Sequence, residues 1–403
     1  MPPLSLSLRR MPAQAVLALA LSAGAAAAQE FNDRPANART QAPAFPGQTR
    51  APVIQDTVAL ARSVVARGLV NPWGMAELPD GTWLVTERPG RMRIVSREGV
   101  LSPAVAGLPE VDARGQGGLL DVAIRADFAK DRRVWWSYAE PSGGGRNATA
   151  VATGTLSADG RRMTGVKVIF RQQPAWASTL HFGSRLVFDA EGMLFVTTGE
   201  RSQSDARPQA QDPGSDLGKV LRIDPDGGPA PGNPEVAGAR PGLWALGFRN
   251  VQSAAIGPDG ALWTVEHGAR GGDELNRVLP GRNYGWPRIS YGVEYSGQPI
   301  GPGQTTRSGL EQPVYYWDPV IAPSGMAFYE GALLPEWRGS ALIGGLADRS
   351  LVRLTFRDGK VTGEARYFRG EARIRDVTVA RDGAVMVLTD APNGLMIRIA
   401  PKQ

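Results

Sequence analysis

The chain has no cysteine and only two histidines in 403 residues, and five lysines stand against forty arginines. Without cysteine, a disulfide framework and a thiolate metal site are both excluded, so core packing and strand ladders alone must hold the fold. A folded part of about 350 residues can bury a core large enough to do so. No run of apolar residues is long enough to span a bilayer, which argues against stable membrane insertion. The most apolar stretch, "AVLALALSAGAAAA" at 15–28, follows Arg9 and Arg10 and ends in small residues with Ala26 and Ala28 placed for cleavage. It reads as an export signal, residues 1–28, by the general secretory or the twin-arginine route, and predicts a periplasmic or secreted protein.

The charge balance is mild. The formal net charge of +6 falls to +4 once Arg9 and Arg10 are removed, and no basic run is interleaved with aromatics, which excludes a nucleic-acid partner. Residues 29–52, "EFNDRPANARTQAPAFPGQTRAP" and its neighbours, are polar and proline-rich and predict a flexible leader. Residues 53–403 then form the folded domain. They also lack any convincing segment of helical period.

What they contain instead is a repeat. "MAELPDGTWLVTE" (75–87), "LVFDAEGMLFVTTGE" (186–200), "AAIGPDGALWTVE" (254–266) and "VTVARDGAVMVLTD" (377–390) each read strand, tight glycine turn, strand, polar end. Asp-Gly or Glu-Gly supplies the positive φ of a short hairpin, and the flanking alternation supplies its strands. The turn glycines Gly81, Gly192, Gly260 and Gly383 stand 111, 68 and 123 residues apart, or two, one and two units. Weaker units at 119–140 and 324–346 fill the gaps. Six units, each long enough for four strands, predict an all-β fold, a six-bladed β-propeller of four-stranded antiparallel sheets. The segment 57–69 is a candidate outer strand closing the last blade, since closure removes the free sheet edges.

In such a fold the polar residues that matter lie at one end of the inner strands. Arg249 and Asn250 precede an inner strand of the fourth unit, and "EHGARGGDELN" (266–276) follows its hairpin at the same end. Glycines that can aim carbonyls, beside Asp273 and Glu274, suit a hard cation such as calcium or else a solvated loop. Arg373 and Arg375 share one face of a strand, so they require a common anion, whether a ligand or surface acids. Gln116 sits among glycines before another inner strand. His181, in "HFGSRLVFD", enters the third unit's inner strand, where a neutral imidazole can serve as a general base or as a structural group.

Taken in order, "HFGSRLVFD", "GFRN", "EHGARGGDELN", "GRNYGWP", "APSGMAFY" and "RIRDV" resemble the soluble pyrroloquinoline quinone (PQQ) dependent aldose sugar dehydrogenases, over residues 60 to 400. The resemblance implies PQQ at the top of the propeller, a calcium ion bridging cofactor and protein, and oxidation of an aldose C1 hydroxyl to a lactone. It implies His181 as base and Arg249 as the group that polarises developing charge. Gln116, Asn250, Arg373, Arg375 and Thr389 would contact the cofactor, and Trp317 would wall it. The carbonyls of Gly268 and Ala269 would ligate the cofactor's calcium, and Asp273, Glu274 and Tyr284 a second, structural calcium.

Two residues depart from the family pattern. Ala347 stands where a lysine is usual, with Arg349 as a possible substitute, and Phe248 replaces a polar residue, which predicts an altered pocket wall. Implied partners are an aldose mono- or oligosaccharide and an unidentified electron acceptor, with the protein a monomer or dimer. The alternatives are a calcium-dependent propeller lactonase and a non-catalytic sugar- or protein-binding propeller.

Overall fold

A computed structural model describes residues 31–402, so the expected export signal lies outside the described residues. Six antiparallel sheets follow one another along the chain. Blade one comprises Pro72–Glu77, Trp83–Glu87 and Arg91–Val95. Blade two comprises Leu119–Ile124, Arg133–Pro141, Asn147–Leu156 and Met163–Arg171, and blade three Gly183–Phe188, Leu194–Thr198, Lys219–Ile223 and Leu243–Leu246. Blade four comprises Val251–Ile256, Leu262–Glu266, Asp273–Val278 and Tyr315–Trp317, and blade five Pro323–Phe328, Ala341–Gly345, Ser350–Arg357 and Lys360–Tyr367. Blade six takes Ile374–Val379, Val385–Thr389 and Gly394–Pro401 from the C-terminal end and Leu60–Leu69 from the N-terminal end.

The first strands of the six blades pack around a common axis, which makes the molecule a six-bladed β-propeller. The repeated hairpins turn at Gly81, Gly192, Gly260 and Gly383, all with φ between 74° and 87°, a region closed to most side chains. Leu60–Leu69 pairs along its length with Gly394–Pro401, as the segment 57–69 predicts. Blade one departs from the expected four strands. Its outer position is taken by irregular chain, with Ser102 N donating to Ile94 O (2.8 Å) and Val105 N to Met92 O (2.9 Å).

Apolar side chains of adjacent blades interleave to form the core, as where Trp263 and Leu275 of blade four meet Ile343 and Val352 of blade five. The axis itself is closed by charge. Arg185 of blade three bridges Asp121 of blade two (2.9 Å) and Asp376 of blade six (3.0 Å), and its guanidinium lies 4.7 Å over the Trp73 ring of blade one.

Residues 31–52 correct the expectation of a flexible leader. Phe31, Ala38 and Ala51 are buried, and the Asp318 carboxylate accepts the main-chain N–H groups of Asn37 (2.8 Å) and Ala38 (2.9 Å). Arg50 returns the connection by donating to the Asp318 carbonyl (2.9 Å), while Gln48 Nε2 donates to Pro313 O (2.9 Å). The segment folds because its partners lie some 270 residues further along the chain. Among the described residues no helix is long and apolar enough to cross a membrane.

Candidate active site

All six inner strands begin at one end of the propeller, and the hairpin partner strands finish there. His181 precedes Gly183–Phe188, and Glu200 follows Leu194–Thr198. Their side chains meet in the interior, with Nδ1 2.6 Å from Glu200 Oε1 and the side chains 8% and 0% exposed. Gly199 makes the approach possible, because a Cβ there would stand 2.1 Å from the His181 carbonyl oxygen. Gln116 Oε1 accepts the His181 main-chain N–H (2.9 Å), so the blade-two loop fixes the same residue from the other side.

An ionised carboxylate only accepts hydrogen bonds, so Glu200 places the ring proton on Nδ1 and leaves the Nε2 lone pair open. Burial, and then Arg249, Arg201 and Arg207, hold the His181 pKa well below the usual imidazole value. Burial pushes Glu200 up to about 7 against the pull of the same arginines. Above that pH the dyad is a neutral imidazole on a carboxylate, with the electronic form of a general base. Glu200 was visible in the sequence only as the polar end of a repeat, and the structure gives it a partner.

Asn250 joins blades three and four beneath this dyad. Its Oδ1 accepts Gly183 N (3.1 Å) and its carbonyl accepts His267 N (3.2 Å), while Glu200 N donates to Arg249 O (2.9 Å). Arg249 is buried, and its guanidinium donates to Gly268 O (2.7 Å) and His267 O (3.1 Å). The Gly268 carbonyl is thus already turned toward a cation. Trp286 lies between two guanidiniums, 5.3 Å from that of Arg249 and 5.5 Å from that of Arg207, and Arg207 in turn pairs with Glu294.

Glu266 and Glu274 are direct cross-strand partners. Glu266 Oε2 accepts Arg249 N (2.5 Å). Burial, and then Glu266 and Asp273, drive Glu274 well above the usual carboxylate range. Two adjacent carboxyls in this environment favour either a shared proton or a cation between them. Among the described residues no three His, Asp or Glu side chains converge as a metal cluster, so a cation here would lean on main-chain carbonyls, as calcium does.

Other expected site residues have partners within the chain itself. Asp273 accepts Gly268 N (2.7 Å), Ile321 N (2.8 Å) and Ala322 N (2.8 Å), tying the loop 267–272 to the loop 318–322. Asp273→Ala would leave these three donors unpaired, two of them buried, and we expect it to lower stability by about 3 kcal/mol in a urea melt. A loss under about 1 kcal/mol would show that water serves them equally well.

The Tyr284 hydroxyl donates to Arg277 O (2.6 Å) and accepts Leu279 N (2.8 Å), and its ring stacks on Phe248 at 4.8 Å. The phenol is therefore engaged with main chain, and Phe248 is a core residue rather than an altered pocket wall. Trp317 packs in the core shared by blades four and five, with Nε1 donating to Glu364 (3.2 Å), and so braces that core. Thr389 Oγ1 accepts Leu395 N (2.9 Å). Ala269 is buried against Ala210, Trp286 and Ile300.

Arg373 and Arg375 share Asp390, at 3.0 and 3.1 Å, so the chain itself supplies the common anion their spacing requires. Arg88 adds a third guanidinium: its Nε donates to Gly117 O (3.1 Å), and its charge acts on both Asp390 and Arg375. Arg349 is exposed and donates to Glu371 O (2.7 Å), and Arg373 Nη1 donates back to Leu346 O (3.2 Å). Buried polar atoms without a protein partner recur across this end: Glu200 Oε2, Arg249 Nε, His267 Nε2 and Arg375 Nε. Such orphans are costly unless a ligand or water completes them.

A propeller that gathers a histidine–glutamate dyad, guanidiniums and paired carboxyls at one end of its inner strands has the makings of an enzyme for a polar substrate. Residues 69–398 match the glucose/sorbosone dehydrogenase family. Over 342 residues the chain is 43% identical to aldose sugar dehydrogenase YliI of Escherichia coli K12, covering 83% of this chain and 91% of that one. It superposes on the soluble aldose sugar dehydrogenase of Escherichia coli with a TM-score of 0.82 at 41% identity, covering 85% of this chain and all of that one. The PQQ-bound aldose sugar dehydrogenase of Streptomyces coelicolor superposes with a TM-score of 0.70 at 28% identity, covering 87% of this chain and all of that one. The chain belongs to the glucose/sorbosone dehydrogenase family and is an oxidoreductase of the sugar dehydrogenase class.

Proposed function

We propose that the protein oxidises the C1 hydroxyl of aldose sugars to the lactone with PQQ and calcium. The observation that carries this reading is the buried dyad, His181 Nδ1 on Glu200 with Nε2 open, set beside orphaned guanidinium nitrogens. The donor set fits the cofactor. Arg373, Arg375 and Arg88 surround one carboxylate, Asp390, and leave positive charge over for an anion, while Gln116 and Asn250 keep amide donors beside the dyad. Planar guanidiniums suit carboxylates in a partly desolvated site. For calcium, the residues that fit are Glu266 and Glu274, cross-strand partners in which the Glu266 charge drives the Glu274 carboxyl upward, and the Gly268 carbonyl.

When bound, PQQ supplies an ortho-quinone that accepts a hydride, with calcium as Lewis acid. The chain's own part is orientation and proton transfer. His181 Nε2 takes the proton of the C1 hydroxyl, Glu200 stabilises the resulting imidazolium, and Arg249 lies close enough to both to polarise charge developing on the substrate oxygen.

Purified apo-protein is expected to reduce a dye in the presence of an aldose only when PQQ and calcium are both supplied. Activity with a nicotinamide cofactor and none with PQQ would overturn the proposal. Lactone hydrolysis with calcium alone would favour the propeller lactonase instead.

A further inference from the structure

We infer that Arg201 is a positioning residue for His181, its buried guanidinium clamping the main chain that carries the imidazole. The inference rests on the proposed role of His181 as base.

Arg201 directly follows the dyad's glutamate and is among the largest fully buried side chains. Its Nη2 donates to the Ser178 carbonyl (2.6 Å) and to Asn147 Oδ1, and Nη1 reaches the His181 carbonyl at 3.5 Å. The guanidinium lies 3.7 Å over the ring of Phe182, the residue after the histidine. Ser178 Oγ donates back to the Arg201 carbonyl (2.6 Å), so the two loops are bolted together in both directions.

The clamp has something to hold. His181 has φ 48° and Arg201 itself φ 70°, left-handed conformations that residues with a Cβ adopt only when the surroundings enforce them. Asn147 Nδ2 donates to Asp112 (2.8 Å), which pairs with Arg114, and this anchors the guanidinium to blade two. Adjacent residues therefore divide the task, Glu200 fixing the imidazole ring and Arg201 fixing its backbone.

Arg201 also acts by charge. With Arg249 and Arg207 it completes three guanidiniums facing the dyad, while Glu266 and His267 lie beyond Arg249 and Glu294 beyond Arg207. Arg201 disfavours a protonated imidazole and favours an ionised Glu200, so both effects act to remove the dyad's proton. Removing Arg201 should let the dyad keep that proton to higher pH.

Two histidines make this directly measurable. In apo-protein carrying 15N-histidine, NMR reports the tautomer and titration of His181, with His267 as internal control. Arg201→Met is expected to raise the pH at which the His181 dyad loses its proton by roughly half a unit or more, with His267 moving less. With PQQ, calcium and saturating sugar, turnover should fall by about tenfold or more and the acid limb of the turnover profile should shift the same way. Arg201→Lys keeps the charge but not the fork, so it should titrate near the wild-type value and turn over at an intermediate rate. If the methionine variant does not fold, the lysine variant decides, and wild-type turnover there overturns the inference. So does an unshifted His181 titration in the methionine variant. Wild-type protein that fails to oxidise any aldose sinks the proposed function instead, and the NMR result remains a separate test of the clamp.

Discussion

His181→Ala is expected to reduce turnover by about a hundred- to ten-thousand-fold while PQQ affinity, followed by titration of the cofactor's absorbance, stays within about threefold of wild type. The expectation follows from where its bonds are made. The main chain at 181 is held by Gln116 and is followed by the Gly183–Asn250 contact, and neither needs the imidazole. The ring itself bonds only Glu200 within the protein, through Nδ1, and its remaining nitrogen is available to the substrate. His267→Ala provides the contrast. That residue lies between Glu266 and the carbonyl of Gly268, so its loss should act through cofactor or calcium affinity and be partly rescued by excess of both. Full turnover of His181→Ala at saturating PQQ, with weakened cofactor binding, would mean that the histidine is a cofactor contact and that the base lies elsewhere.

Glu200→Gln is the second large effect, about a hundredfold or more in turnover with the fold retained. The amide has two ways to meet Nδ1, and both are harmful. Turning its NH2 to the ring forces the proton onto Nε2 and blocks the base. Turning its carbonyl keeps the tautomer but removes the negative charge that stabilises the imidazolium as the proton arrives.

The same dyad sets a pH dependence. Because burial raises Glu200 to about 7, a protonated carboxyl below that pH donates to Nδ1 and leaves the ring hydrogen on Nε2. Turnover of the wild type should therefore rise as pH increases through about 7, and this limb should be altered in Glu200→Gln. A wild-type profile flat between about pH 5.5 and 8, or a glutamine variant within about threefold of wild-type turnover, would remove Glu200 from the mechanism.

The fold was legible in the sequence because propeller hairpins are local. Asp-Gly and Glu-Gly turns between alternating strands recur at Gly81, Gly192, Gly260 and Gly383, and each needs only its own dozen residues to be read. Even the strand that crosses the whole chain, Leu60–Leu69, was visible, since closure demands it. Residues 31–52 were not readable in this way. Their composition is that of a flexible segment, and the groups that order them, Asp318 and Pro313, are distant in sequence and close only in the folded chain.

The site divides along the same line. Residue types and spacing identified His181, Arg249, Asn250 and the Arg373–Arg375 pair, and the structure gathers them at one end. Partnership was beyond reach. Asp273 and Tyr284 offer the same oxygens to a metal or to main-chain N–H groups, and the N–H groups they meet come into view only in the folded chain. Glu200 carried a signal in the repeat itself, since the strand ends "TE", "TGE", "VE" and "TD" place Glu87, Glu200, Glu266 and Asp390 in one structural register. Comparing those four positions would have pointed to the carboxylate beside the only histidine that enters an inner strand.

Blade six is built from the two ends of the described chain, with Leu60 opposite Pro401 in the ladder. Its outer strand stands more than three hundred residues from the strand it pairs with, so closing the ring joins segments that flank all the other blades in sequence. Contacts of that sequence separation are slow to find. A circular permutant that joins Gln403 to Phe31 and opens the chain between Val70 and Asn71 would bring both parts of this blade into one stretch of sequence, shortening the longest-range step of assembly while keeping the ordered segment 31–52.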